Sequence, residues 1–269
     1  MIIRSARFNN LRIAITLSLC LFGLISCVET QSQVEQLDAV RIVHCLAGCP
    51  LGASQNNDIV ARPIYTLSFN HDTRVADWAA YVVTENSIGV ATNLDRAPQI
   101  DPFVADTLNL EDYGNAAEEL SLEAQYLVPL VSFAGTPYWR DVNYLTNRVP
   151  RNMELTRGAW YGLEWAIRNL ANRGEPLYVV TGPLYDSQSD QLLLPTEKPH
   201  SVPNAFFKVI ATADGSVTAF VFRQDLPFHI HHCEQRVPLV EVEQLSGLSL
   251  FPEQSGWPVG DLSERLGCF

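Results

Sequence analysis

Short runs rich in β-branched and aromatic residues recur along the chain, each bounded by turn formers. They predict strands at Pro63–Phe69, Ala79–Thr84, Leu177–Thr181, Phe206–Ala211 and Val217–Phe222. Asp214-Gly215 separates the last two and marks a hairpin. One segment has helical periodicity instead. In Thr156–Asn172, Trp160, Leu163, Ile167 and Leu170 form an apolar stripe, with Glu164 and Arg168 at i,i+4 beside it. Thr156 is the expected cap and Gly174 the expected stop, and a shorter helix is expected at Leu239–Leu245. Strands and helices are mixed irregularly, not as βαβ units, so the class is α+β. No repeat or Pro/Gly linker follows residue 40, which favours one domain over residues 41–269.

Residues 1–26 have another pattern. Arg4, Arg7 and Arg12 precede an uncharged apolar run from Ile13 to Ile25, the anatomy of a secretory signal. The run ends Leu24-Ile25-Ser26-Cys27, which resembles the bacterial lipobox. The resemblance implies cleavage before Cys27 and its lipidation, with Val28 in place of Asp implying outer-membrane sorting. A plain signal peptide with Cys27 incidental is the other reading. The expected partner is a membrane, reached through the lipid, with residues 27–40 as acylated cysteine and polar tether.

Charge sharpens the picture. Lys+Arg is 18 against Asp+Glu 30, and the only lysines are Lys198 and Lys208. Removing residues 1–26 takes three arginines and no acid, moving the net charge from −12 to −15. Such a chain lacks the cationic excess with which general nucleic-acid binders neutralise phosphates. Four cysteines remain beyond Cys27, and export favours two disulfides, Cys45–Cys49 and Cys233–Cys268. The alternative for Cys45 and Cys49 is a metal site with a nearby histidine.

Several ordered blocks are similar to the DNA/RNA non-specific endonuclease family, the secreted ββα-metal nucleases. They are HCLAGCP at 44–50, IYTLSFNHDTRVADWAAY at 64–81, ADTLNLEDYGNA at 105–116, NYLTNRVP at 143–150, LTRGAWYGLE at 155–164 and YVVTGPLY at 178–185. The resemblance implies a central antiparallel sheet flanked by helices, a ββα-metal (His-Me finger) fold. It also implies Mg²⁺-dependent, sequence-independent cleavage of DNA and RNA.

The chemistry departs from the family. Where the family has Asp-Arg-Gly-His, this chain has Glu123-Ala124-Gln125-Tyr126. The family histidine is a general base, suited by an imidazole pKa near neutrality; an unperturbed phenol titrates near ~10. The family's metal-ligating asparagine corresponds to Thr156, whose hydroxyl is a shorter, weaker oxygen donor. Glu164 matches the position that holds metal-bound waters, Arg168 and Arg173 match active-site arginines, and Asn143 and Asn147 also match. Arg96 is the available cation on the expected phosphate side. An ordinary helix-face ion pair is the competing reading of Glu164 and Arg168.

The expectation is therefore a lipid-anchored, catalytically degenerate member with a binding or structural role at the envelope and no cofactor. The alternative is an active Mg²⁺-dependent nuclease with a displaced site. The sequence names no protein partner. A further metal candidate is His229-Ile230-His231-His232: on a strand, His229 and His231 would share a face. A polar loop beside a disulfide is the alternative, and His71 and His200 are expected in turns or at the surface.

Overall fold

The structure, a computed structural model, describes residues 43–104, 107, 120–186, 191–196 and 198–269. The signal, Cys27, the tether and nearly all of the 105–116 block lie outside the described residues.

The main sheet contains β1 (Asp58–Ala61), β2 (Thr66–Asn70), β3 (Val75–Val83), β6 (Leu177–Leu184), β7 (Ala205–Ala211) and β8 (Ser216–Arg223), adjacent in that order. Two short strands, β9 (Arg236–Val237) and β10 (Gly260–Asp261), both pair with β8, β10 in parallel and every other pair antiparallel. A separate two-stranded sheet joins β4 (Leu122–Tyr126) to β5 (Arg148–Asn152). After β5 the chain passes through one turn at Met153–Leu155 and a wide turn at Thr156–Trp160 into α1 (Tyr161–Ala171). β4, β5 and α1 are thus a ββα unit, and α2 (Leu239–Ser246) lies nearer the C-terminus.

Three expected boundaries move. Pro63–Tyr65 is not strand: Ala61 pairs with Thr66, and the Arg62 N–H donates to the Tyr65 carbonyl at 2.8 Å, so these residues close the β1–β2 hairpin. β3 starts at Val75, before the expected Ala79, because Asp77 is satisfied within it by the side-chain amides of Asn57 (2.6 Å) and Asn70 (3.0 Å). Thr156 does not cap the helix. It is itself helical, and Asn152 caps the segment, accepting from the Glu154 N–H at 2.7 Å. The kink falls at Gly158 (φ −90°, ψ −116°), where an added Cβ would lie 2.5 Å from the Phe228 carbonyl oxygen.

The sheet is covered on both faces. Phe206, Ile210, Phe220 and Phe222 pack with Leu163, Ile167 and Leu170 of α1. The alternate positions Phe207, Val209, Val217 and Ala219 pack with Val242 of α2 and Leu250. All seven residues of β7 are buried, as expected of a strand covered on both sides. Period-two alternation therefore puts Lys208 on the α1 face, between Phe206 and Ile210.

Candidate active site

Tyr126 ends β4 and faces Arg148 directly across the strand pair. Its hydroxyl donates to Asn143 Oδ1 at 3.0 Å and accepts from Arg148 Nη2 at 2.9 Å. The Arg148 guanidinium also lies 3.8 Å from the ring centroid and donates to the Ala124 and Arg96 carbonyls. Burial pushes the phenol pKa above its ordinary value, against the opposing pull of Arg148 and Arg96. A phenol held protonated and bonded on both sides does not abstract a proton from water near neutral pH. Glu123, which the resemblance sets at the family's aspartate position, makes a surface ion pair with Arg157 at 3.8 Å.

Thr156 is equally committed. Its hydroxyl donates to the Asn152 carbonyl at 2.8 Å and accepts from Arg151 Nε at 3.1 Å. Arg151 is 2% exposed, reaches the Tyr126 carbonyl through Nη1 at 3.3 Å, and lies 4.1 Å over the Trp160 ring. Burial lowers its pKa to about 9, with Glu164 and Tyr81 pulling upward.

Trp160, Glu164 and Arg168 follow one another at i,i+4, so one helix face carries an aromatic floor, a carboxylate and a guanidinium. Glu164 is 4% exposed, so its i,i+4 ion pair with Arg168 is present but buried rather than lying on a solvated helix face. Its Oε1 is ion-paired with Lys208 Nζ, and its Oε2 faces Arg168 Nη1 at 3.6 Å. Lys208 is fully buried, donates to the Tyr81 hydroxyl at 3.2 Å and lies 4.1 Å over Trp160. Burial lowers its pKa to about 8, which leaves it protonated at pH 7. Glu164 pulls that pKa upward while Arg151 and Arg168 push it down, so the four groups are within electrostatic reach of one another.

These residues fit a divalent metal poorly. Glu164 Oε2 accepts no hydrogen bond and is the one atom of the set suited to a metal-bound water. Against it, the Thr156 hydroxyl is used, and one carboxylate already answers three cations. A dication would enter a neighbourhood of net positive charge, where low dielectric enlarges the repulsion.

The remaining expected residues divide. Asn147 is fully buried and structural: Oδ1 accepts from the Val128 N–H at 2.8 Å, and Nδ2 donates to the Val128 and Val142 carbonyls. Asn143 anchors Tyr126 and donates to the Asp95 carbonyl at 3.0 Å. Arg173 is exposed in the turn after α1 and is not brought into the buried cluster. Arg96 is exposed; its carbonyl accepts from Arg148 Nη2 at 3.0 Å, and its charge acts on the Tyr126 phenol. Lys208 and Arg151 were not anticipated. Lys208 had one visible signal, a lone charge inside the apolar run Phe206–Ala211.

The histidine segment is not a strand. His231 caps a short 3₁₀ turn at His232–Gln235, and the clustered pair is His231 and His232, with ring centroids 4.2 Å apart, not His229 and His231. Cys233, beside them, is bonded to Cys268, and Cys45 is bonded to Cys49, so neither cysteine pair offers thiolates. His200 is buried, not a surface residue, and burial lowers its pKa to about 4. His71 sits half-buried in a turn with Asp58 at 3.0 Å.

Comparison with known proteins gives a consistent result. Residues 48–256 match the family described as DNA/RNA non-specific endonuclease. The chain is 36% identical over 281 aligned residues to the nuclease of Serratia marcescens, covering 97% of this chain and 99% of that protein. It is 27% identical to nuclease C1 of Cunninghamella echinulata, over 78% and 89% of the two chains. The crystal structure of the EndoG/EndoGI complex superposes with a TM-score of 0.60 at 21% identity, covering 73% of this chain and 86% of the other, which is a likeness of fold.

Proposed function

The chain belongs to the DNA/RNA non-specific endonuclease family, and from that premise we propose that it is a nuclease-fold protein that has given up hydrolysis. The observation that carries the reading is the Tyr126 hydroxyl, bonded to Asn143 and Arg148 where the family's base is expected. The occupied Thr156 hydroxyl and the internally paired Glu164 support it. A fold and its chemistry are separate inferences, so membership alone does not supply the missing base.

The protein's working place, in this reading, is the bacterial envelope. The lipobox-like Leu24–Cys27 supports a lipid anchor, outer-membrane sorting follows from Val28, and the two disulfides support an oxidising compartment. Its role there is binding or structural, and the net charge of −12, or −15 once residues 1–26 are removed, weighs against tight polyphosphate binding.

A second reading has a specific observation behind it. The matched relatives are named nucleases, one over nearly the whole of both chains, and this favours an active Mg²⁺-dependent enzyme that uses other residues. Plasmid and RNA cleavage by the full chain separates the two. Metal-stimulated cleavage abolished by Glu164→Gln establishes the second reading, and its absence establishes the first.

A further inference from the structure

The buried charges of the ββα unit admit a more specific statement than loss of catalysis. Glu164 is the one carboxylate in the described cluster, and its Oε1 is neutralised by Lys208, a residue of β7 that reaches across the sheet–helix interface. Arg151, from β5, supplies a second cation, which lies over the same Trp160 indole as Lys208, each at 4.1 Å from the ring centroid. Arg151 Nε also donates to the Thr156 hydroxyl at 3.1 Å, placing a guanidinium against the oxygen that a metal would have to approach. Two elements flanking α1 thus each deliver a buried cation to the place where the resemblance puts the metal.

We propose that Arg151 and Lys208 are resident cations that substitute for the divalent metal, so that the folded protein is metal-independent and excludes Mg²⁺ from Glu164. This deepens the reading of a non-hydrolytic nuclease fold and rests on it for the placement of the metal position. The reasoning is electrostatic. A buried carboxylate must be paired, and here side chains pair it permanently, with cation–π contacts to Trp160 offsetting part of the desolvation of both cations. A magnesium ion would have to displace Lys208 from Glu164 and still face the Arg151 and Arg168 guanidiniums.

The test is metal binding by the full chain, read by Mn²⁺ electron paramagnetic resonance titration and by the melting temperature in EDTA, Mg²⁺ and Mn²⁺. Wild-type protein should give no saturable Mn²⁺ site that depends on Glu164, and one melting temperature in all three conditions. Saturable one-to-one binding that disappears in Glu164→Gln overturns the proposal.

Arg151→Met removes one resident cation while keeping an apolar stem against Trp160. It should raise Mn²⁺ affinity by at least about tenfold, as expected for deleting a unit charge beside a dication. Arg151→Lys keeps the charge and should stay metal-free. If Arg151→Met is folded by circular dichroism and binds no more Mn²⁺ than wild type, Arg151 does not exclude the metal and the proposal falls. Should Arg151→Met not fold, Arg151→Gln, which removes the charge but keeps an amide donor for Thr156, is read the same way. Cleavage assays run in parallel keep the two ideas apart: metal binding without cleavage defeats this inference alone, and cleavage without metal binding defeats the proposed function alone.

Discussion

Arg151 Nε donates to Thr156 Oγ1 at 3.1 Å, and that bond decides what residue 156 can do. A threonine hydroxyl has one proton to give, which goes to the Asn152 carbonyl, and its acceptor side is taken by a buried guanidinium. The side chain that the resemblance sets at a metal-ligand position is therefore a structural link between β5 and the helical segment.

Lys208→Met should destabilise the protein strongly. It leaves the Glu164 carboxylate buried with Arg168 at 3.6 Å as its remaining direct ion pair. Breaking a buried pair by removing one partner costs roughly 3–5 kcal/mol, which urea unfolding would register. Adding Glu164→Leu should recover much of the loss, and strict additivity of the two substitutions would contradict the pairing.

Tyr126→Phe should cost about 1–2 kcal/mol by removing the hydroxyl bonds to Asn143 and Arg148 while keeping the ring under the guanidinium. Denaturant unfolding checks this. In a protein that used Tyr126 as its base, the same substitution would abolish cleavage.

Stability should fall on acidification in a way that depends on His200. Burial lowers its folded pKa to about 4, with the nearby Arg74 charge acting in the same direction. The unfolded chain then binds the extra proton first, so the stabilisation is complete above pH ~6.5 and is lost as pH falls toward 4. The amount is of the order of 3 kcal/mol. His44, also lowered by burial, adds to the same slope. Unfolding midpoints at neutral and acid pH should converge in His200→Gln, and an unchanged slope would exclude His200 as the cause.

The two disulfides should differ in worth. Cys233–Cys268 spans 35 positions and holds the buried Cys268 in the core, whereas Cys45–Cys49 spans four. Chain-entropy arguments give about 4 kcal/mol for the longer loop and about 2 kcal/mol for the shorter. Paired Cys→Ala variants, compared by unfolding, should show that order.

Rebuilding the site should require more than its signature. Glu123→Asp, Ala124→Arg, Gln125→Gly, Tyr126→His and Thr156→Asn together should stay inactive while Arg151 remains, and gain metal-dependent cleavage only with Arg151→Met added. Plasmid relaxation reads both, and activity in the version retaining Arg151 would show that Arg151 does not block the site.

The central strands β2, β3, β6, β7 and β8 were legible in the sequence because they are dense in β-branched and aromatic residues, as in Phe206–Ala211, whereas the short strands β1, β9 and β10 gave no such signal. β4 and β5 were not legible either: Leu122–Tyr126 and Arg148–Asn152 are rich in polar residues and proline and become strands through each other. Thr156 and Asn152 are both good caps in isolation, and the choice between them came from tertiary contacts. Of the site, positions 123–126 and 156 came from the resemblance and not from any local pattern. The cation at Glu164 could not be read, since Lys208 is 44 positions away and only the sheet–helix packing brings it there. His200 likewise gave no local sign that it is buried.

Cleavage of supercoiled plasmid and of RNA by the full chain, with Mg²⁺ or Mn²⁺, between about pH 6 and pH 10, tests the central claim most directly. The account predicts no cleavage above that of Glu164→Gln at any pH in the range. Metal-stimulated cleavage that Glu164→Gln abolishes would contradict it.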